Sequence, residues 1–414
     1  MLVSKIISVG DEILIGQIVN SNASYIGEKL YSIGIPVKKI VTIGDTKEAL
    51  LEELDDSILS FDVTVITGGL GPTHDDITKP VITEFFNEEL VTDEKILEHV
   101  KGIFRSRNIR MPEVNFEQAK VPANCRVIFN HGGTAPGMWM EKNNKVVICL
   151  PGVPFEMKDM IDRYVLKMLQ EKFVSNVNYF LKSKTLLTTG IGESHLSEMI
   201  GNVEDIIEEN KLAFLPSMYG VRMRIDVKGA DEKNADDKIF KIENEIRKKV
   251  GQYIFGVNDD LLEKEVGKML EERNLTLAVA ESCTGGLISS KITDISGSSK
   301  YFFGGVCTYS NNSKFYILDV KSGTLENHGA VSEETAMEMA ENVRKKFNAD
   351  FGLSTTGIAG PSGGTETKPV GLVWIGFSSK EKTFAKKYLF GNNRERTKLR
   401  AAYAALDLLK KNLK

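Results

Sequence analysis

The chain has 414 residues, enough for two to three domains at about 150 residues each. Hydrophobic residues make up 42% and charged residues 27%, which fits a folded globular protein and excludes a disordered or collagen-like one. A formal net charge of -4 gives no electrostatic footprint for nonspecific binding to nucleic acid or a membrane surface.

No apolar run approaches the roughly 20 residues that span a bilayer. The segment Met1 to Val9 reads as a strand and not as a secretion signal. Cys125, Cys149, Cys283 and Cys307 are widely spaced and form no CxxC pair. They are expected as reduced thiols in a cytoplasmic protein, not as a disulfide framework or a zinc site. The 36 glycines cluster after short apolar runs, where backbone comes close to ligands.

The first 170 or so residues alternate strand and helix patterns. Val3 to Val9 is a strand. Ala23, Ile26, Leu30 and Ile33 mark one face of a helix from Asn22 to Ile33. Pro36 to Ile43 is a second strand, Lys47 to Leu59 a helix, and Asp62 to Thr67 a buried strand before a glycine loop. This alternation predicts a doubly wound, parallel α/β sheet. Ligands sit at the carboxyl ends of such strands, so the loops at Asp11, Asp45 and Gly68 to Asp76 should share one edge. Residues 174-257 predict a small α+β insert: strand Tyr179 to Thr188, helix Gly190 to Ile200, strand Val221 to Val227, helix Asp231 to Val250. Residues 258-414 predict a third, α/β unit. Its strand Leu275 to Ala280 leads into a glycine turn. The helix Ser332 to Phe347 precedes a strand ending at Thr356. Two paired strands and a helix from Arg394 to Leu409 follow.

Common motifs are absent. There is no GxxxxGK[ST], GxGxxG or HExxH. The five histidines are scattered, so a histidine-based serine hydrolase has no support.

Two stretches carry chemistry. In Thr67-Gly68-Gly69-Leu70-Gly71-Pro72-Thr73-His74-Asp75-Asp76-Ile77-Thr78, glycines after a strand offer N-H groups to a phosphate. Asp76 and Thr78 are candidate caps for the next helix. Adjacent acids beside a phosphate call for a divalent cation. The loop Asn130 to Gly137 is either a further substrate loop or a hairpin entry. In Ala278-Val279-Ala280-Glu281-Ser282-Cys283-Thr284-Gly285-Gly286, a serine sits at a strand end. It reads either as a helix cap or as a nucleophile beside an oxyanion hole of backbone N-H groups. Tyr309-Ser310-Asn311-Asn312-Ser313-Lys314 supplies either an exposed turn lysine or a buried base that would activate serine without histidine, with the tyrosine as relay.

The first stretch resembles the molybdopterin-binding fold of the MoaB/MogA type, and that resemblance assigns functional acids to Asp45 and Asp76. Gly10-Asp11-Glu12-Ile13-Leu14, Asn20-Ser21-Asn22, Gly44-Asp45 and Leu150-Pro151-Gly152-Val153-Pro154-Phe155-Glu156-Met157 extend the resemblance to the N-terminal domain of the CinA family. It implies metal-dependent hydrolysis of ADP-ribose over residues 1-173. Asp45, Asp76, Asp11, Asp75 and Glu156 are then candidate ligands of a divalent metal, and Thr67, Gly68, Gly69, Gly71 and Thr73 candidate substrate contacts.

The second stretch, with Thr308-Tyr309-Ser310-Asn311, Lys314, His328-Gly329-Ala330-Val331-Ser332, Thr356-Gly357-Ile358-Ala359-Gly360-Pro361 and Lys368-Pro369-Val370-Gly371, resembles the CinA C-terminal domain of the PncC type. That resemblance implies a nicotinamide-mononucleotide amidohydrolase needing no cofactor. Ser282 would be the nucleophile, with Lys314 and Tyr309 moving the proton. Thr284, Gly285, Gly286, Thr356 and Gly357 would contact substrate, and Arg394 its phosphate. Where the family often has Phe-x-Gly-Asp-Arg, this chain has Phe390-Gly391-Asn392-Asn393-Arg394.

The expected partners are small nucleotides and a second copy of the chain, as a homodimer. Neither a membrane nor nucleic acid is expected. The insert has a KH-like order, but Gly190-Ile191-Gly192-Glu193 is acidic where a nucleic-acid loop would be basic.

Overall fold

The computed structural model describes residues 2–173, 180–218 and 220–413. The chain divides into two compact units: Met1–Lys182 with Val227–Asp237, and Ser183–Asp226 with Lys238–Lys414. Most of the expected insert thus shares a unit with the C-terminal region. The expected boundary after residue 173, and Tyr179 at the start of an expected strand, fall at residues outside the described set.

The strands of the first unit are β1 Ser4–Val9, β2 Val37–Ile43, β3 Val63–Thr67, β4 Leu90–Thr92, β5 Lys120–Pro122, β6 Arg126–Ile128, β7 Gly137–Lys142 and β8 Lys145–Leu150. Six form one sheet in the order β2-β1-β3-β8-β7-β6, and β4 pairs with β5 separately. The first four run parallel, as expected. The all-parallel pattern ends at β7 and β6, which are antiparallel. A two-residue turn causes this: Asn143 and Asn144 both adopt positive φ, the geometry that joins adjacent antiparallel strands.

β1 and β3 are buried along their whole length, and the buried Lys5 of β1 donates to Asp56 Oδ2 at 2.7 Å. Successive side chains of a strand point to opposite faces. Accordingly Ile6 packs with Ala23, Ile26 and Leu30 of the helix Ser21–Ser32, while Ile7 and Val9 pack with Leu50 and Leu54 of Lys47–Ser60. Each fully buried leucine contributes about 1.5–3 kcal/mol. Asn20 fixes the start of the first of these helices by accepting from Ala23 N at 3.1 Å.

The next strands are β9 Phe180–Thr188, β10 Lys211–Pro216, β11 Val221–Gly229 and β12 Ile254–Val257. They form a sheet in the order β10-β11-β9-β12, with the helices Glu193–Ile200 and Glu232–Val250 between strands.

The last five strands are β13 Leu277–Glu281, β14 Phe302–Cys307, β15 Phe351–Gly357, β16 Leu372–Ser378 and β17 Thr383–Leu389. Their order is β14-β13-β15-β16-β17. β13 is parallel to both neighbours, and β15, β16 and β17 are antiparallel in sequence. Leu277 and Val279 face the helices Leu262–Glu272 and Arg394–Asn412, whereas Ala278 and Ala280 face Glu333–Lys346. That last helix lies so close to the sheet that a Cβ on Gly352 would stand 2.0 Å from Ala340 O. Ser332 caps it by accepting from Thr335 N at 3.2 Å, as expected.

Both large sheets share one topological feature. The chain leaves β1 to form β2 on one side and returns to form β3 on the other; β13, β14 and β15 repeat the pattern. Where the order reverses, the loops after the two central strands diverge and open a crevice at their carboxyl ends. One crevice lies between Val9 and Thr67, the other between Glu281 and Gly357.

Candidate active sites

In the C-terminal crevice, β13 ends at Glu281 and the chain turns sharply before the helix Leu287–Thr293. Glu281 is 1% exposed. Its carboxylate accepts from Gly286 N at 3.0 Å, Ile288 N at 3.1 Å, Ser289 N at 2.9 Å and Ser289 Oγ at 2.8 Å. A charge is thereby satisfied by the unpaired N-H groups of a helix start. Ser282 is free of that capping duty, and the alternative reading of it as a helix cap falls. Sequence reasoning missed Glu281. The one available signal was an acid at the end of a strand that leads through a glycine turn into a helix.

Lys314 lies on the helix Asn311–Leu318, which Ser310 and Ser313 start with a reciprocal capping box. Four residues from the cap, Lys314 points inward and is 1% exposed, so it is not an exposed turn lysine. Its Nζ donates to Ser282 Oγ at 2.9 Å and to Thr308 O at 2.8 Å. Burial pushes its pKa below the usual lysine value, with only Cys283 and Cys307 opposing. No carboxylate pairs with it among the described residues. A lysine in this state is a base able to take the serine proton. The neighbouring Cys283 is no rival nucleophile: burial pushes its thiol up to about 12, so the thiolate is scarce at neutral pH.

Ser282, Tyr309, Lys314, Thr356, Gly357 and Arg394 line one cavity of about 260 Å³. Thr284, Gly285 and Gly286 do not. Thr284 turns its hydroxyl to Thr355 Oγ1 at 2.7 Å, and Gly286 serves the Glu281 cap. The N-H of Ser282 donates to Thr355 O at 2.9 Å, so it is not available to an oxyanion. Thr356 donates to Ala330 O at 2.5 Å.

The expected relay through Tyr309 has no hydrogen bond behind it. The Tyr309 phenol accepts from Arg394 Nη2 at 3.0 Å, and its only tie to Lys314 among the described residues is a 3.4 Å bond to its backbone carbonyl. Arg394 also donates to Gly360 O at 3.0 Å. The departure from the family's Gly-Asp-Arg turn is absorbed. Gly391 takes the positive φ, and Asn393 caps the last helix by accepting from Arg396 N at 2.9 Å, a role open to Asn and Asp alike.

The N-terminal crevice opens into a cavity of about 640 Å³. Asp45, Asp75, Asp76, Glu156, Thr67, Gly68, Gly69 and Gly71 line it, together with Glu12 and Asn22; Asp11 and Thr73 do not. The expected edge is thus assembled. Gly68 is forced by close approach: a Cβ there would lie 2.2 Å from Val9 O.

Two of the three glycine N-H groups of the expected phosphate cradle are already engaged. Gly68 N donates to Leu150 O at 3.1 Å, and Gly71 N to Asp76 Oδ1 at 2.7 Å. Asp76 Oδ2 takes Thr73 N at 2.8 Å and Thr73 Oγ1 at 2.5 Å. Asp76 therefore ties its own loop and caps no helix. Thr78 likewise does not cap; it donates to Gly68 O at 2.8 Å. Asp11 and Asp45 clasp each other's backbone, with Asp11 N donating to Asp45 Oδ2 at 2.9 Å. Glu156 accepts from Asn130 Nδ2 at 2.7 Å, and Asn130 Oδ1 takes the N-H groups of Gly132 and Gly133. That loop brings Thr134 and Ala135 to the cavity.

Among the described residues no three His, Cys, Asp or Glu side chains form an ion-binding group by themselves. A magnesium-type ion needs only one or two carboxylates, taking its other oxygens from water and substrate phosphates. Asp45 suits that use. Burial raises its pKa, and the charges of Asp11, Glu12 and Asp75 raise it further against the Asp11 N-H bond. A cation would relieve that excess of negative charge.

No helix among the described residues is long and apolar enough to cross a membrane.

Three family models match the chain. They are "Probable molybdopterin binding domain" over residues 5–171, "Damage-inducible protein CinA KH domain" over 183–256, and "CinA C-terminal domain" over 259–413. The chain is 42% identical over 421 residues to a CinA-like protein of Chloroherpeton thalassium, covering 100% of this chain and 99% of that one. It is 44% identical over 410 residues to a protein of Thermoanaerobacter sp. (strain X514) described as competence-damage inducible, covering 99% and 98%. Among solved structures, the competence/damage inducible protein CihA from Agrobacterium tumefaciens is 36% identical over 36% of this chain and 93% of its own, with a TM-score of 0.36. With relatives this similar along its whole length, the chain belongs to the CinA family of competence/damage-inducible proteins.

Proposed function

We propose that the C-terminal crevice hydrolyses the carboxamide of nicotinamide mononucleotide to nicotinate mononucleotide and ammonia. The observation that supports this is the buried, carboxylate-free Lys314 donating to Ser282 Oγ at 2.9 Å in a cavity of about 260 Å³. Neutral Lys314 takes the Ser282 proton as Oγ attacks the amide carbon. The tetrahedral intermediate collapses, Lys314 returns the proton to nitrogen, and ammonia leaves. Water, deprotonated by the same lysine, then attacks the acyl-serine and releases the carboxylate. Arg394, with the Tyr309 phenol beside it, serves the substrate's phosphate, since a guanidinium matches phosphate oxygens well. No cofactor is required. The test is Ser282→Ala incubated with nicotinamide mononucleotide while ammonia is followed. Wild-type release by the variant would end the proposal.

A second activity, metal-dependent hydrolysis of ADP-ribose in the N-terminal crevice, is supported by its acid-lined cavity of about 640 Å³. Asp45 and Asp75 would hold a divalent ion, which supplies charge neutralisation at the pyrophosphate. Asp76 keeps the glycine loop in shape, and Glu156, fixed by Asn130, is positioned to orient water. If ADP-ribose is untouched in the presence of magnesium or manganese, this second activity is refuted.

A further inference from the structure

The mouth of the N-terminal crevice is apolar, although its floor is acidic. Ile18, Val19 and Val153 line the same cavity of about 640 Å³ as Asp45, Asp75 and Asp76. They are nevertheless 50%, 87% and 43% exposed. We propose that these three side chains are the base subsite of this crevice, gripping the ring of a nucleoside phosphate whose phosphates lie over the acids. The inference rests on reading the crevice as a nucleotide site and adds which residues hold the nucleobase.

Scattered exposed apolar residues are ordinary on a protein surface, whereas a cluster bordering a cavity marks a contact. Here the backbone holds the cluster open. Glu12 O accepts from Gln17 N at 2.9 Å and from Ile18 N at 3.3 Å, which fixes the turn that carries Ile18 and Val19. Asn20 pins the end of that turn to β1 by donating to Ser8 Oγ at 2.9 Å. Asn22 ties the turn's helix to the Val153 side by donating to Gly152 O at 2.8 Å. With both walls anchored, the turn cannot collapse to bury its own apolar groups, and a bound ligand is what covers them.

The chemistry of the walls selects the ligand's end. Asn20 Nδ2 also reaches Thr42 Oγ1 at 3.4 Å, and Asn22 Nδ2 also reaches Thr67 Oγ1 at 3.1 Å. Each amide thus has two acceptors for its two protons and keeps none for a ligand. Hydroxyl-rich sugar gains little against Ile18, Val19 and Val153. A planar ring with two apolar faces gains the most. A molecule that joins such a ring to phosphates is a nucleotide, with its base at the rim and its phosphates over the acids.

The test is calorimetric titration of the full-length chain with magnesium present. It compares AMP with ribose 5-phosphate, which keeps the sugar and phosphate but lacks the base. Both are measured in the Arg394→Ala background, so that the phosphate contact of the other crevice is silent. AMP is expected to bind about tenfold or more tighter than ribose 5-phosphate. The double variant Ile18→Ser, Val19→Ser should erase that preference. Val153→Ser, which places a preferred cap residue before the helix Pro154–Met160 and so does not endanger folding, should reduce it about threefold or more. Equal affinity for the two probes, no saturable AMP binding, or an unchanged preference in either variant would overturn the proposal. So would a variant that keeps its AMP affinity but shifts the sedimentation of the ligand-free protein, because the rim would then be a contact between copies. Hydrolysis is read separately. ADP-ribose cleaved with an unchanged KM in the variants removes the base subsite and leaves the pyrophosphatase standing. No cleavage, with the AMP preference lost in the variants, does the reverse.

Discussion

Lys314 Nζ stands 2.9 Å from Ser282 Oγ although 32 residues separate them in the chain. The pair is buried, and no carboxylate pairs with the lysine among the described residues. The amidase rate should therefore follow the neutral fraction of Lys314. It rises with pH through a pKa below the ordinary 10.5 and falls as protonation removes the base. Stability carries the same sign. The unfolded state holds the Lys314 proton more strongly, so stability rises with pH between the folded pKa and 10.5. Lys314→Met should lose about 10²–10⁴ of activity and raise the melting temperature, by removing a lysine that is costly to charge when buried. A flat pH–rate profile would refute the base assignment.

Tyr309 and Arg394 should behave as one unit. Their hydrogen bond directs the phenol toward the arginine and away from Lys314. Arg394→Ala should raise KM for nicotinamide mononucleotide by about 10- to 100-fold, the cost of a charge-assisted hydrogen bond, and change kcat far less. The same variant should erase any preference over the phosphate-free riboside. Tyr309→Phe should change KM more than kcat. A large kcat loss there would restore Tyr309 as a proton relay.

Glu281 should matter without touching substrate. Its carboxylate accepts four hydrogen bonds from the turn and helix that follow Ser282. Glu281→Ala leaves buried N-H groups unpaired and should cost about 1–3 kcal/mol in chemical denaturation. Glu281→Gln keeps part of the cap and should recover part of both stability and kcat. If Ala and Gln were indistinguishable from wild type, the turn would be holding itself.

Chelation should separate the two crevices. EDTA is expected to stop ADP-ribose hydrolysis and to spare ammonia release, which is measurable in one preparation. The raised pKa of Asp45 predicts that the metal-dependent reaction weakens as pH falls, beginning at a higher pH than an ordinary aspartate would set. Asp76→Ala frees Gly71 N and both Thr73 donors, and ADP-ribose turnover should drop by about 10²-fold or more through loss of loop order. Ammonia release falling in parallel under EDTA would contradict separate sites.

The local signals in the sequence were strong. Short runs rich in apolar and β-branched residues, ended by glycine turns, marked β1, β3 and β13, which are buried along their whole length. Ser332 announced its helix, and the loops at Asp45 and Gly68 announced a shared edge. The family motifs named Ser282, Lys314 and Arg394, which meet in one cavity.

What spacing could not decide was where each polar group spends its hydrogen bonds. Asp76 closes its own loop, Glu281 caps the helix that Ser282 was read as capping, and Tyr309 turns to Arg394. A donor or acceptor is assigned by whichever partner lies within about 3 Å, and that partner comes from another strand end or helix. The burial that makes Lys314 a base has the same origin. The chain itself determined which chemistry it could carry; packing against a sheet whose strand order reverses at β13 decided which residues perform it.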